Sequence, residues 1–283
     1  RNALTREIQA KFLAEYAVNT LQMKRFAVLH PFETFGLELK DTFISEVESL
    51  GGEVVAVAGY ERTQNDFKKQ ILELGGVEDD NLKKITRDLF LSDGVTPDFS
   101  GQFSLSRPLI DMGHWTGDDV EKLKVSLELS YDAIFIPGVY DKVGLIIPQL
   151  AFYNVNTVSL LGTNGWNSPE LVTMGGKYLS NVYFVDGFYP DSHHVEVQKF
   201  VRDFKANFGE EPAYLSAQSF DAANIVINNI LAGANNRMKM KESLKAVKNF
   251  PGVTGNTTLL PSGDSEKNIF ALTVKRKKIV QQN

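Results

Sequence analysis

The chain contains no cysteine. That absence removes thiol nucleophiles, disulfides and cysteine–zinc sites, and it leaves the compartment open. No apolar run is long enough to span a bilayer. No basic stripe runs along the chain, and a net charge of -5 argues against nucleic acid as a partner. A Gly-x-Ser-x-Gly elbow, a Walker loop and a Gly-x-Gly-x-x-Gly fingerprint are all missing. So are internal repeats and low-complexity tracts. No secretory signal opens the chain. It starts on Arg1 rather than Met, from which we expect a processed or truncated product, so the missing signal excludes nothing. What is present is ordinary for a globular protein, 43% hydrophobic and 23% charged. Its 283 residues suffice for one large domain or two modest ones.

The stretch Asp132–Trp166 organises the rest. Ala133–Pro137 is a short apolar run that stops at Pro137-Gly138, as a buried strand does. Val143, Ile146, Ile147 and Leu150 then recur at helical spacing, with Asp141 as the expected cap. Val158–Leu161 is a second strand-like run, closed by Gly162. Strand, helix and strand make a βαβ unit, and ligands in open α/β sheets collect beyond the carboxyl ends of the strands. Those ends are Gly138-Val139-Tyr140 and Gly162-Thr163-Asn164-Gly165-Trp166. They offer backbone groups, an amide and aromatic walls, but no evident catalyst.

The same alternation runs from the start. Leu4–Leu21 reads as an amphipathic helix, Phe26–Leu29 as a buried strand, and Phe35–Leu50 as a helix stopped by Gly51-Gly52. Val54–Ala58 is the next strand, and Asn65 or Asp66 caps a helix over Phe67–Leu74. Residues 76–116 interrupt the pattern, with a helix expected over Asn81–Phe90 and a long mobile loop over Ser92–Arg107. A further helix, Val120–Leu129, leads into the central unit. After Trp166, Asn167 or Ser168 caps a short helix with Pro169 at its first position, and Val182–Val185 is a strand. Three helical segments then follow without a strand: Val195–Phe208, Tyr214–Leu231 and Lys241–Lys248. Asn256–Leu260 and Ile269–Lys275 read as strands joined by a turn at Ser262-Gly263-Asp264. The helices carry apolar faces (Phe200, Val201, Phe204; Ala222, Ile225, Val226) that need a sheet to cover them.

Several stretches carry a family likeness in a consistent order. They are Lys24–Leu29 followed by Phe35-Gly36, Gly51–Val55, Asp66-Phe67, Tyr131–Phe135, Ala217–Ala223, Phe250–Gly255 and Pro261–Asp264. Together they resemble type I periplasmic solute-binding proteins of the leucine/isoleucine/valine-binding branch. The wording of Leu161–Asn167 is similar to members called penicillin-binding protein activators or branched-chain amino acid receptors.

The resemblance implies an α/β fold with a parallel sheet flanked by helices, in two lobes that close on a ligand by hinge motion. Residues 1–189 with 252–283 would form the second lobe, and 190–251 would supply helices to the first. The opening strands of that first lobe would precede Arg1, leaving it incomplete at its N-terminus. The resemblance further implies a small polar, amino-acid-like ligand, no cofactor and a periplasmic location. Its partner would be a membrane transporter or sensor, and the full-length protein would carry a lipid anchor. The ligand-binding residues on this mapping are Phe35, Tyr140, Asn164, Trp166 and Asp186. Two positions depart from the family pattern. Asn164 stands where amino-acid binders carry an acid for the ligand's ammonium, and Phe35 replaces a tyrosine hydroxyl. Asp186 is the nearest substitute acid.

Each candidate has a plainer alternative. His193-His194 could hold a metal, but adjacent helical histidines point apart and fit a solvated helix start. His30 lines a cleft or is a satisfied core histidine, and His114 sits beside the insertion at the surface. Tyr140 and Trp166 are ligand walls or core aromatics, Asp186 a ligand contact or a hinge cap, and Asp221 a structural acid or a site residue. The basic run Lys275–Lys278 is a solvated end or a partner contact. Three functional readings follow: a solute-binding protein; a regulatory module acting on a cell-wall synthase; and, least supported, an α/β enzyme, for which no nucleophile–base pair is visible.

Overall fold

The computed structural model of the chain describes residues 2–76 and 129–282. The expectations for the insertion at 76–116, for Val120–Leu129 and for His114 lie almost entirely outside the described residues. Helix α1 (Arg6–Glu15) is extended by one π turn, Tyr16–Thr20. Strand β1 (Arg25–Pro31), helix α2 (Thr34–Ser49), strand β2 (Glu53–Tyr60) and helix α3 (Lys68–Leu74) follow. Strand β3 (Ala133–Phe135), helix α4 (Tyr140–Phe152), strand β4 (Ser159–Gly162), helix α5 (Pro169–Gly175) and strand β5 (Val182–Asp186) continue the alternation. Helices α6 (Val195–Phe208), α7 (Tyr214–Leu231) and α8 (Arg237–Lys245) come next. A hairpin of β6 (Thr257–Leu259) and β7 (Ser265–Lys267) precedes β8 (Phe270–Lys275) and β9 (Lys278–Gln281).

The main sheet has the order β2-β1-β3-β4-β5-β8-β9. The first five strands pair in parallel, and β8 and β9 add antiparallel to the β5 edge. Alternate residues of each central strand point to opposite faces, so both faces must be apolar. Ala27, Leu29, Ile134 and Leu160 join the core under α3, α4 and α5. Phe26, Val28, Phe135 and Leu161 join the core under α1 and α2. There Phe43 of α2 stacks on Phe135 at 4.2 Å and meets Phe26 edge-on at 5.6 Å. The result is a sheet between two helical layers.

Local signals place most boundaries. Gly51, at φ +82°, ends α2 in a conformation that disfavours other residues. Ser168 caps α5 by accepting from the Glu170 N–H, with Pro169 first in the helix. Asp66 accepts from the Lys68 N–H at 2.9 Å and so supports the start of α3. Asp141 does not cap α4. The helix starts one residue earlier with Val139 as cap, and Asp141 lies in the first turn, where the helix dipole favours an acid. The turn at Ser262–Asp264 joins β6 to β7 rather than to β8. The basic run Lys275–Lys278 is no terminus but the turn between β8 and β9, with Arg276 and Lys277 at positive φ.

Helices α6 and α7 are only half covered among the described residues. Val197, Phe200, Ala217 and Ile225 are buried, whereas Phe208, Leu215, Ile230 and Leu231 are each more than half exposed. An apolar cavity of about 360 Å³ opens between these helices and Phe250–Val253, walled by Phe200, Phe204, Phe208 and Phe220. It belongs to the uncovered helix faces and lies apart from the carboxyl ends of the parallel strands.

Candidate functional site

The carboxyl ends of β3 and β4 meet as two touching loops. Gly165 lies so close to the Gly138 carbonyl that a Cβ there would stand 2.8 Å from its oxygen. This contact brings Tyr140, at the first position of α4, to the same edge as Asn164 in the turn after β4. Both side chains are solvent-exposed, Tyr140 at 36%. Phe35 opens α2 at the end of β1 and is half-buried against the core beneath α1 and α2. Its neighbour Gly36 sits on Pro31, where a Cβ would come within 2.5 Å. Phe35 therefore rises from the same edge of the sheet, packed at its base.

Trp166 is placed differently from its expected position on a cleft wall. It is fully buried. Its indole N–H donates to the Ile136 carbonyl at 3.2 Å, and its ring tilts against Phe184. The ring also covers Gly162, where a Cβ would come within 2.2 Å of it. The glycine closing β4 therefore leaves room for an indole, and the structure uses Trp166 as the pillar of the loop rather than its open face.

Asp186 ends β5 and is also buried, with 8% exposure. Its carboxylate accepts from the Asn167 amide at 2.7 Å and from the Gly187 N–H at 2.6 Å. Burial pushes the carboxyl up to about 6, partly opposed by these hydrogen bonds. The folded state thus holds the proton more tightly than the unfolded chain, whose Asp titrates near ~3.9. Stability contributed here is full below that value and falls as pH rises through about 6. We expect Asp186→Asn to remove a loss of about 2 kcal/mol between pH 4 and 7. Denaturant melts of both proteins across that range measure it. Parallel curves would mean that Asp186 does not titrate in this window.

His30 is a satisfied core residue, with its ring Nδ1 3.0 Å from the Pro31 carbonyl and its pKa lowered by burial. His194 is the residue before α6, edge-on to Phe270, and His193 beside it is exposed. Among the described residues no group of three His, Asp or Glu side chains could hold a metal ion.

Asp221 is a structural clip. It is buried on α7, and its carboxylate accepts from the N–H groups of Val253 and Thr254 at 2.8 Å and from the Thr254 hydroxyl at 2.6 Å. Lys267 donates to the same hydroxyl oxygen at 2.6 Å. Burial lowers the Lys267 pKa to about 8, against the pull of Asp221. Gly252 passes so close that a Cβ would stand 2.5 Å from the Asp221 carboxylate, which explains the glycine in that stretch.

Gln9 was not singled out by the sequence. It is 5% exposed on α1, and its side-chain oxygen accepts the Asn164 N–H at 3.0 Å. A signal was present: Gln9 lies four residues before Leu13 and eight before Ala17, so it is a polar residue on the buried stripe.

Residues 128–278, more than half of the chain, match the periplasmic binding protein family. The chain belongs to that family. No curated protein matches it. Solved structures share the fold at low identity. A Rhodospirillum rubrum protein with a provisional assignment as a branched-chain amino acid ABC transporter aligns with TM-score 0.75 and 17% identity, over 100% of this chain and 67% of its own. A leucine-binding protein from Thermotoga maritima aligns with TM-score 0.64 and 23% identity, over 100% and 66%. A solute-binding protein of an ABC transporter from R. palustris, solved with benzoate, aligns with TM-score 0.61 and 14% identity, over 99% and 63%. The chain thus spans about two thirds of the length of these proteins. Among the described residues, no helix is long and apolar enough to cross a membrane.

Proposed function

We propose that this chain is part of an extracytoplasmic solute-binding protein that takes a small polar ligand for an ABC transporter or a sensor. The observation that carries the reading is the strand edge where Tyr140 and Asn164 are displayed side by side on touching loops of a family member. Tyr140 offers an aromatic face and a hydroxyl, Asn164 offers an amide, and Phe35 adds an apolar wall. Asp186 supports the loop from behind through Asn167. In the same reading, residues 1–189 with 252–283 form one lobe, and helices within 190–251 serve the other. The exposed apolar faces of α6 and α7 support that division, since they suit a covering sheet.

The solved neighbours include a leucine-binding protein and a protein in complex with benzoate, and both ligands carry a carboxylate. We assign the same class to this site: a small carboxylate, with or without an ammonium. Thermal-shift and calorimetric titration of the intact protein with L-leucine, L-isoleucine and benzoate test it. A binder present at a hundred times its Kd adds about 2.7 kcal/mol of stability. If no compound in a broad panel of amino acids and carboxylates raises the melting temperature, the reading fails. Asn164 also decides between the two ligand types, because it carries no charge to meet an ammonium. We expect Asn164→Asp to raise the preference for leucine over benzoate about tenfold. An unchanged ratio would place the ammonium elsewhere.

A further inference from the structure

The loop that displays Asn164 is held from three sides. Trp166 donates to the Ile136 carbonyl, Asn167 donates to Asp186, and Gln9 accepts the backbone N–H of Asn164 itself. Of these three, only the bond from Gln9 meets the main chain of the displayed residue, at its N–H, while the Asn164 carbonyl accepts from the Asn167 N–H within the turn. The Gln9 bond reaches across 155 positions of sequence, from a helix on the opposite layer.

Gln9 is a poor choice for packing alone. Its side chain is buried, and it interrupts the stripe of Ala10, Leu13 and Ala14 on α1. A carboxamide costs more to bury than an apolar side chain of similar size unless hydrogen bonds repay its desolvation. Its distinctive contribution is the oxygen that meets the Asn164 N–H. The start of α1 is itself anchored, since the Leu4 N–H donates to the Tyr214 hydroxyl at 2.8 Å and Asn2 exchanges hydrogen bonds with Gln218 on α7. Thr5 then caps α1 by accepting from Ile8 at 3.1 Å. Gln9 therefore presents its oxygen from a helix fixed at its first turn.

We propose that Gln9 is a positioning residue, which fixes the main chain at Asn164 and thereby sets which solute groups the strand edge can meet. Its consequence for binding rests on the solute-binding reading, whereas the positioning stands apart from any ligand. Amide hydrogen exchange on the full chain tests it without a solute, so failure to find a ligand does not bear on the result. Gln9→Met removes the acceptor at nearly constant volume. We expect exchange at Asn164 to quicken about tenfold while the amides of Leu160, Leu161 and Gly162 keep their rates. Gln9→Glu restores an acceptor oxygen and returns Asn164 to near wild-type exchange at pH 7. Unchanged exchange at Asn164 in Gln9→Met overturns the proposal. So does a rise spread evenly along β4, or a failure of Gln9→Glu to rescue, since either makes Gln9 a packing residue only.

Discussion

Asp221→Ala is expected to cost about 3–5 kcal/mol of stability, the range for breaking a buried charged network by removing one partner. The carboxylate accepts three hydrogen bonds, two of them from the main chain at Val253 and Thr254. Without it, two buried N–H groups lose their acceptor, and Lys267 loses the opposing charge beside it in a desolvated place. Asp221→Asn keeps an acceptor oxygen and should lose roughly half as much. Denaturant melts give the totals, and hydrogen exchange at Val253 and Thr254 gives the location. Those two amides should lose protection first, because the clip joins α7 to the segment that leads into β6. A loss below about 1 kcal/mol in Asp221→Ala would mean that water or a rearranged Thr254 replaces the carboxylate at little cost.

Trp166→Ala should be comparably damaging, at about 3–5 kcal/mol, because it empties a fully enclosed volume that neighbours cannot fill. Gly162 lies under the ring, so the variant leaves a cavity, while the Ile136 carbonyl loses the indole N–H and keeps that of Gly138 at 2.8 Å. Trp166→Phe retains most of the apolar contact and should cost about 1–3 kcal/mol. The indole emission of Trp166 should be blue-shifted and nearly unchanged by solute, since no part of the ring is open to one. A large emission change that disappears in Trp166→Phe would show that the loop opens on binding. That outcome would return Trp166 to the cleft wall.

Asp221 was read as a structural acid or a site residue, and its hydrogen bonds fit the first, whereas Trp166 stood out for another reason. Trp166 was prominent because it ends the polar loop after β4. Position alone, however, does not say whether an aromatic faces outward or folds back over a glycine four residues earlier. Asp186 was the nearest acid to a presumed ligand ammonium, but its place at the end of β5 buries it against Asn167. Asn164 and Tyr140 are the two candidates that the structure displays together, and the contact between Gly165 and Gly138 is what brings them there.

The sequence by itself determined the parallel part of this protein. Short apolar runs closed by glycine or proline, alternating with 3.6-residue periodicity, specify β1 to β5 and helices α1 to α5, because each pattern can bury its apolar face in only one kind of element. Glycine and serine signals marked most of the ends for the same local reason. Helices α6 and α7 and strand β8 were legible in the same way, and only the tertiary structure decided the remaining pairings. Strand β9 escaped notice because Ile279-Val280 is too short a run to read, and it becomes a strand by pairing with β8. The acceptor for the Asn164 N–H is on Gln9, and the donors to Asp221 lie at Val253 and Thr254, each pair far apart along the chain. Periodicity tells a residue which face it occupies, but a hydrogen bond needs a partner at about 3 Å in the right direction. Folding brings such partners together across long sequence separations, and no local pattern encodes which ones will meet.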